Sequence, residues 1–252
     1  MLLSRWGSFL TPAYAAMLKI NNLDYRIANH AILKSLNLQV DSGQFYALAG
    51  ENGAGKSTLI KIILDLIRNV ESGSVTIDGV DHKQLAARNV LSYLPEKFDI
   101  KPEVTGWQYL QFVFGAYQQT LDRDKVLMLC DQLSLDAQRL ADKASEYSKG
   151  MKQKLGLISC FMLDKPLIIL DEPLSGLDPK ARFLFKQLLQ QERSQGRTIF
   201  YSTHMLADAE EICDRFGILH RGQIVFDGTP AECLQQYDAA TLEQAYMACI
   251  LS

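Results

Sequence analysis

The chain has 252 residues, of which 48% are hydrophobic and 22% charged, and its formal net charge is −3. These values are typical of a soluble globular protein with one large domain or two small ones. The weakly acidic balance argues against nucleic acid and against an anionic membrane surface as electrostatic partners. No apolar run reaches the roughly 18 residues that a membrane-spanning helix needs. The five cysteines show no C-x-x-C spacing, which predicts buried thiols in a reducing compartment rather than disulfides or a zinc site.

Residues 1–16 are expected to form an extension outside the fold, because no periodic pattern runs through them. Ala13–Ala15 is a faint A-x-A cleavage pattern, which leaves a signal peptide as the alternative. The segments Trp6–Ser8 and Thr11–Pro12 interrupt the apolar stretch that a signal peptide requires, so the extension is favoured.

Strands and helices alternate from Met17 onward. Apolar and polar residues alternate after Met17 and after Ile32, which predicts two strands, and the apolar run Phe45–Ala49 predicts a buried one. Further strands are predicted at residues 74–77, 90–94, 167–170, 198–202, 216–220 and 223–226. Helices are predicted at residues 59–64, 106–118, 122–133, 149–163, 179–192 and 205–213. This order predicts an α/β fold with a mostly parallel sheet.

The predicted elements form a single domain at residues 17–228, since no linker or low-complexity tract divides them. The helical block at about residues 97–163 is interpreted as an insertion in that domain. Residues 229–252 are predicted to form a helical C-terminal tail.

A glycine-rich segment follows the strand Phe45–Ala49 and fits the P-loop pattern G-x-x-x-x-G-K-[ST]. Its residues are Gly50, Glu51, Asn52, Gly53, Ala54, Gly55, Lys56, Ser57 and Thr58. Small residues let the backbone curl so that successive N–H groups point into one concavity, and the following helix adds the positive end of its dipole. We expect Lys56 to reach the β- and γ-phosphates of a nucleotide and the Ser57 hydroxyl to bind Mg²⁺. An ordinary glycine-rich turn is disfavoured, because the match is complete and lies between a strand and a helix.

Two carboxylates, Asp171 and Glu172, follow the apolar run Leu167–Leu170. The carboxyl end of a buried strand is where open α/β sheets bind ligands. Asp171 suits the role of the aspartate that holds Mg²⁺ in P-loop NTPases, and Glu172 is placed to take a proton from an attacking water. An acidic turn before Pro173 is the structural alternative.

The segment at residues 147–154, Tyr-Ser-Lys-Gly-Met-Lys-Gln-Lys, resembles the signature motif of ABC-type ATPases, usually written L-S-G-G-Q. It keeps the serine and the second glycine of that motif, Ser148 and Gly150, and departs at the other three positions. The remaining markers of the family follow in order. Ser175–Asp178 resembles the D-loop, and His204 resembles the histidine that senses the γ-phosphate.

Tyr25, upstream of the P-loop, stands where the family has an aromatic residue that stacks on adenine. The other histidines, His30, His82 and His220, have no such context and are interpreted as surface residues. The resemblance covers about residues 17–228.

Glu96 stands where the family usually has a glutamine that touches Mg²⁺ and the attacking water. A glutamate there also coordinates Mg²⁺, but adds negative charge beside ATP. The Pro95–Glu96 pair and the C-terminal segment Leu242–Tyr246 resemble cassettes of ABC-2 type exporters, which favours export.

The predicted helix at 106–118 carries five aromatic residues that are distributed around its whole circumference. The face that packs on the core therefore cannot bury all of them. They are Trp107, Tyr109, Phe112, Phe114 and Tyr117. Some are expected to face a partner, because this helical subdomain receives a helix of the membrane subunit in the family. The alternative is that all five belong to the core.

The resemblance implies a P-loop NTPase (RecA-like) core sheet with an antiparallel β subdomain and an inserted α-helical subdomain. It implies an ATP-binding and ATP-hydrolysing subunit that needs Mg²⁺ and works with a separate transmembrane permease subunit, at the cytoplasmic face of the cell membrane. Lys56, Glu172 and His204 are the implied catalytic residues, and Ser57, Asp171 and Glu96 the implied metal ligands. ATP is expected between the P-loop of one subunit and Ser148, Gly150 and Asp178 of a second, identical or different, ATPase subunit.

Two other functions fit parts of the pattern. A soluble ABC-type ATPase that drives an assembly or remodelling step would work without the permease. The sequence argues against the best-known proteins of this kind, because it contains one cassette rather than two and no long coiled coil. A small-molecule kinase would share the P-loop but would need an acceptor site, and the signature-like segment argues against it.

Overall fold

The computed structural model describes residues 16–251. Most of the predicted N-terminal extension, residues 1–15, lies outside the described residues, and Ala16 already belongs to the first strand. The strands are β1 (Ala16–Ile27), β2 (His30–Asp41), β3 (Phe45–Ala49), β4 (Ser72–Ile77), β5 (Val80–Asp81), β6 (Leu91–Leu94), β7 (Leu167–Asp171), β8 (Thr198–Thr203), β9 (Arg215–His220) and β10 (Gln223–Gly228). The helices are α1 (Lys56–Ile63), α2 (Leu85–Asn89), α3 (Gly106–Ala116), α4 (Arg123–Gln132), α5 (Lys149–Met162), α6 (Pro179–Ser194), α7 (Leu206–Ile212), α8 (Pro230–Gln236) and α9 (Leu242–Leu251). Two short 3₁₀ turns lie between α4 and α5, at Ala137–Ala141 and Ala144–Glu146.

The strands form two sheets. A four-stranded antiparallel sheet has the order β2-β1-β4-β5, and a six-stranded sheet has the order β10-β9-β3-β8-β7-β6. Neighbouring strands of the second sheet are parallel from β9 to β6, and only β10 is antiparallel to its neighbour. The predicted combination of a mostly parallel sheet with an antiparallel β subdomain is therefore present.

The six-stranded sheet is buried on both faces, which is why β3, β7 and β8 are apolar without alternation. One face packs against α1 and the antiparallel sheet, where the rings of Tyr46 and Phe200 stack. The other face packs against α5, α6 and the C-terminal helices, where Phe161 contacts Phe185. The five cysteines are buried thiols, as predicted.

Side-chain caps fix where most of the longer helices begin. In α3, α4, α5, α6 and α8 a side-chain oxygen of the preceding residue accepts a hydrogen bond from a backbone N–H of the first turn. The capping residues are Thr105, Asp122, Ser148, Asp178 and Thr229. Two of these, Ser148 and Asp178, are predicted nucleotide-binding residues.

Helix α3 does not bury all its aromatic residues. Phe114 is inside the core, and the Tyr109 hydroxyl hydrogen-bonds the Ser159 hydroxyl at 3.1 Å. Phe112 is 75% exposed on the opposite side of the helix. An aromatic residue on the outside of α3 is consistent with the expectation that part of this helix faces a partner.

The interpretation of His82 as a surface residue is wrong. Its side chain is buried, and Nδ1 lies 3.1 Å from the carbonyl oxygen of Val75. The segment after β5 folds back over β4, which the sequence pattern of a short polar turn does not reveal. His220 is also more enclosed than expected, because its ring lies beside the P-loop residue Glu51.

Candidate functional site

The candidate site lies at one edge of the six-stranded sheet, where four neighbouring parallel strands end. The P-loop follows β3, His204 follows β8, Glu172 follows β7, and Glu96 follows β6. Because the carboxyl ends of parallel strands meet at the same edge, these segments come together although they are far apart in the chain. The site is therefore a direct consequence of the strand order.

The P-loop connects β3 to α1 through a backbone that requires glycine. Gly53 and Gly55 have φ values of +87° and +114°, where side chains are strongly disfavoured. Gly55 precedes α1, and this helix has neither a side-chain cap nor an acidic residue in its first turn. The first N–H groups of α1 thus lack the side-chain acceptor that helices such as α3 and α5 have, and they are available to phosphate oxygens.

Gly50 is required for a different reason, since its backbone lies against the end of β9. A Cβ atom at Gly50 would lie 2.5 Å from the carbonyl oxygen of Leu219. We expect Gly50→Ala to lower the free energy of unfolding by about 1–3 kcal/mol, because backbone must move to accept the methyl group. Urea unfolding measures this change.

Gly115→Ala is the matched control for that substitution. Gly115 lies in α3, and nothing lies within 4 Å of a Cβ atom placed there. Alanine in a helix is expected to be neutral or stabilising by up to about 1 kcal/mol. Equal unfolding free energies for Gly50→Ala and the unaltered chain would contradict the close approach.

Lys56 is the buried cation of the site. Its Nζ donates hydrogen bonds to the carbonyl oxygens of Gly50 at 2.6 Å and of Glu51 at 3.3 Å. The same Nζ lies 3.6 Å from Oε1 of Glu172, and both side chains are almost fully buried. The ammonium group is thus held at the mouth of the P-loop, facing the carboxylate of Glu172 that directly follows β7.

Ser202 on β8 organises the two carboxylates at the end of β7. Its hydroxyl donates to Oδ1 of Asp171 and accepts a hydrogen bond from the backbone N–H of Glu172 at 3.0 Å. Glu172 has a φ of +50°, which is uncommon for a residue with a side chain. Such strain persists only where the surroundings enforce it, and it concentrates at functional sites.

His204 completes a chain of contacts across the site. Its Nδ1 lies 2.8 Å from Oε2 of Glu172, and its ring is 54% exposed. One carboxylate therefore faces the buried Lys56 with one oxygen and the accessible His204 with the other. The three predicted catalytic side chains are brought together, although their roles remain proposals.

These groups border an open cleft of about 380 Å³. The cleft is lined by Ile32, Glu51, Asn52, Gly53, Gly55, Lys56, Ser57, Thr58, Glu96, Glu172, Ser175 and His204. Among the other predicted residues of this region, Ala54 is buried within the P-loop and Asp171 lies behind Glu172. Ile32 was missed by the sequence analysis, and no local pattern distinguishes it from other apolar residues of β2.

Four predicted nucleotide-binding residues lie away from this cleft. Tyr25 is partly buried on β1, beside the core between the two sheets. Ser148 is exposed, and its Oγ accepts a hydrogen bond from the N–H of Met151 at 3.2 Å. Asp178 is exposed at the start of α6, where the backbone N–H of Ala181 lowers the pKa of its carboxyl group. Gly150, the fourth, lies beside the D-loop, because a Cβ on it would be 3.3 Å from the carbonyl oxygen of Gly176.

The donor groups at the cleft fit a magnesium ion that is shared with phosphate. Ser57 and Glu96 line the cleft, and Asp171 lies behind it with one oxygen bound to Ser202. Burial raises the pKa of the Tyr93 hydroxyl, and the nearby carboxylates of Asp171 and Glu96 raise it further. Within residues 16–251 no three His, Cys, Asp or Glu side chains form a metal cage. Mg²⁺ typically takes only one or two protein carboxylates and completes its shell with water and phosphate.

Comparison with known proteins gives a consistent result. A sequence profile described as "ABC transporter" matches residues 33–175. An uncharacterized ABC transporter ATP-binding protein of Synechocystis sp. is 39% identical over 207 residues, which are 80% of this chain and 58% of that protein. The Nod factor export ATP-binding protein I of Rhizobium etli is 30% identical over 86% of this chain and 69% of that protein. The chain thus spans only about three fifths to two thirds of the length of these relatives.

A solved structure of the ATP binding subunit of an ABC transporter has the same fold. It superposes with a TM-score of 0.84 at 33% identity, over 92% of this chain and 99% of that one. The predicted fold class is confirmed by this superposition. Together with the profile match over more than half of its residues, it establishes that the chain belongs to the ABC transporter family, among its ATP-binding proteins.

Proposed function

We propose that this chain binds ATP in the cleft and hydrolyses it to drive transport by a separate membrane subunit. The observation that carries the proposal is the position of Glu172, with Lys56 on one side and His204 on the other, at the mouth of the P-loop. A loop suited to bind phosphate, a cation to neutralise the phosphate charge and a carboxylate to accept a proton thus lie beside one another. These are the parts that phosphoryl transfer to water requires.

Phosphate binding rests on the backbone of the P-loop and the start of α1. The uncapped N–H groups of α1 and the Nζ of Lys56 provide the positive potential for the β- and γ-phosphates. On binding, Lys56 exchanges part of its hydrogen bonding to the carbonyls of Gly50 and Glu51 for phosphate oxygens. The attraction is strong because Lys56 is almost fully buried.

Hydrolysis then depends on the transfer of a proton from a water molecule to Glu172. As Lys56 and His204 turn toward the γ-phosphate, the carboxylate of Glu172 becomes free to accept a proton from the attacking water. His204 is accessible enough to contact the outermost phosphate directly. Ser57, Asp171 and Glu96 would hold Mg²⁺, which would supply positive charge to neutralise the phosphates.

The exposed Ser148 and Asp178 and the half-buried Gly150 support a second part of the proposal, a head-to-tail dimer. They lie apart from the cleft of their own chain and are free to face the cleft of another. In such a dimer ATP would lie between two subunits, and hydrolysis would separate them. The partner subunit is the same chain or a related one.

The membrane partner is proposed from family membership and from the exposed apolar side chains Phe112, Leu66 and Leu85. In the described part of the chain, no helix is long and apolar enough to span a membrane. The relative from Rhizobium etli is named as an export protein, which favours export here and a location at the cytoplasmic face of the membrane. An ATPase without a membrane partner is the less favoured alternative, because the relatives are named as transporter proteins.

Substitution of Glu96 tests the proposed Mg²⁺ site. Glu96 adds a negative charge to the cleft, so we expect Glu96→Gln to bind ATP more tightly without Mg²⁺ and to need more Mg²⁺ for half-maximal hydrolysis. Both changes should be about two- to fivefold, since the side chain is exposed and its interaction is screened by water. Calorimetric titrations of ATP with EDTA and with Mg²⁺ measure the first change.

Glu103→Gln is the matched control, because Glu103 is exposed outside the cleft. Glu103→Gln should leave both values unaltered. Identical Mg²⁺ dependence in Glu96→Gln and the unaltered chain would remove Glu96 from the metal site.

Release of phosphate from ATP by the purified chain tests the proposed function as a whole, and co-purification from detergent-solubilised membranes tests the membrane partner. We expect phosphate release that stops with EDTA, and recovery of the chain with an integral membrane protein. Turnover with recovery of the chain only in the soluble fraction would favour the assembly ATPase.

A further inference from the structure

Ser202 is a fully buried polar residue near the carboxyl end of β8, where it pairs with Asp171 of β7. Two residues earlier on the same strands, the paired positions are Ile169 and Phe200, and neither has exposed surface. Because side chains alternate along a strand, both pairs lie on one face of the sheet. Ser202 and Asp171 therefore mark the point where this face changes from apolar packing to the polar edge at the cleft.

The hydroxyl of Ser202 is used both as a donor and as an acceptor. An ionised carboxylate only accepts hydrogen bonds, so the single proton of the hydroxyl is donated to Oδ1 of Asp171. The oxygen of the same hydroxyl accepts a hydrogen bond from the backbone N–H of Glu172 at 3.0 Å. One side chain thus holds the predicted metal ligand by its carboxylate and the predicted base by its backbone.

The backbone conformation of Glu172 is held from both sides. Its φ of +50° is uncommon for a residue with a side chain and persists only where the surroundings enforce it. Ser202 binds the N–H of Glu172, and the carbonyl oxygen of Glu172 accepts from the backbone N–H of Ser175 at 3.0 Å. In this conformation the carboxylate of Glu172 reaches Nζ of Lys56 and Nδ1 of His204.

Ser202 is not part of the lining of the cleft, so its hydroxyl acts on the site through these two neighbours. We propose that Ser202 is a positioning residue for ATP hydrolysis. Its hydroxyl fixes the carboxylate of Asp171 for Mg²⁺ and the left-handed backbone of Glu172 for proton transfer. This inference rests on the proposed hydrolysis of ATP in the cleft.

Ser202→Ala tests the inference, because it removes the hydroxyl and leaves Asp171 and Glu172 in place. Loss of a hydrogen-bonding partner behind a metal ligand typically costs about 10- to 100-fold in metal affinity or activity. We expect kcat to fall, and the Mg²⁺ concentration for half-maximal hydrolysis to rise, each within that range. Calorimetry with EDTA should give an ATP affinity within about twofold of that of the unaltered chain, because the phosphate-binding residues of the P-loop are retained.

A double-mutant cycle at saturating Mg²⁺ separates positioning from a merely structural role. The base is already absent in Glu172→Gln, so adding Ser202→Ala should slow single-turnover hydrolysis by less than about threefold there. A serine that only supports folding would slow both chains by the same factor. Ser202→Cys keeps the size and a weaker hydrogen-bonding group, and it replaces Ser202→Ala in the cycle if the alanine variant does not fold.

Ser92→Ala is the matched control in the same sheet. Ser92 is fully buried on β6, and its hydroxyl has no hydrogen-bond partner among residues 16–251. Removing this hydroxyl should leave kcat, the Mg²⁺ dependence and the ATP affinity unaltered.

Normal kcat and Mg²⁺ dependence in Ser202→Ala would overturn the inference. So would an equal loss in Ser92→Ala, or slowing by the same factor with and without Glu172→Gln. Absence of hydrolysis by the unaltered chain is a separate outcome, which would contradict the proposed function and this inference with it. Hydrolysis by the unaltered chain supports the proposed function, and the comparison of the Ser202 variants then decides the inference by itself.

Discussion

Glu172→Gln is expected to slow ATP hydrolysis by about 10²- to 10⁴-fold, the usual loss when a general base is removed, while ATP binding is retained. Glutamine keeps the size of the side chain and still accepts a hydrogen bond from His204, but cannot take a proton from water as a carboxylate does. The loss of a negative charge 3.6 Å from Nζ of Lys56 leaves that ammonium more available to phosphate. Affinity for ATP should therefore be equal to that of the unaltered chain or higher.

If hydrolysis separates the two subunits, Glu172→Gln should also accumulate as an ATP-dependent dimer. Size-exclusion chromatography with light scattering measures this directly, and phosphate release measures the rate. Glu210→Gln is the matched control, because Glu210 is exposed on α7 and outside the cleft. Near-normal hydrolysis in Glu172→Gln would contradict its assignment as the base. An inactive variant that stays monomeric with ATP would keep that assignment and indicate a different partner subunit.

Lys56→Ala is expected to weaken ATP binding by roughly 30- to 5,000-fold, the range for truncating one member of a buried charged pair. Its Nζ is the buried cation in the described lining of the cleft, and the remaining charged groups there include three carboxylates, of Glu51, Glu96 and Glu172. Without the ammonium, these carboxylates would repel the phosphates. Calorimetric titration of ATP with Mg²⁺ measures the loss.

Lys61→Ala controls for the change of a lysine on the same helix. Lys61 lies in the last turn of α1 and is exposed. Its removal should leave ATP affinity unaltered. Equal affinity of Lys56→Ala and the unaltered chain would show that the P-loop does not bind the triphosphate.

The sequence permits prediction of those features that depend on neighbouring residues. The P-loop pattern lies between a strand and a helix, and the Asp171–Glu172 pair follows an apolar run, so both were located with their elements. The parallel order of β3, β8, β7 and β6 then brings Lys56, Glu172 and His204 together. Helix α3 begins at Gly106 as predicted, and a capping box formed by Thr105 and Gln108 fixes that start.

Contacts set by strand register were not predictable. Ser202 binds both Asp171 and the N–H of Glu172 because β7 and β8 pair in a register that places Asp171 beside Ser202. No periodicity distinguishes Ser202 from any other strand serine. The left-handed conformation of Glu172 follows from the same surroundings and has no signal in the chain, since glutamate is not among the residue types enriched in that conformation.

A contact from the end of β9 to the P-loop was also missed. His220 reaches Glu51 only after β9 has paired with β3, so the distance in sequence conceals this contact. His82 was placed at the surface because it lies in a polar turn, yet the fold buries it under β4. The role of Tyr25 stays a prediction, because its ring lies on β1 outside the lining of the cleft.

A single-turnover experiment with ATP labelled on the γ-phosphate, and with the chain in excess, tests most directly whether this protein hydrolyses ATP in the cleft. We predict that the label appears as inorganic phosphate in step with ADP, only when Mg²⁺ is present, and that Glu172→Gln retains it as bound ATP. Label transferred to another molecule would indicate a kinase. Label that stays in ATP with the unaltered chain would contradict the account.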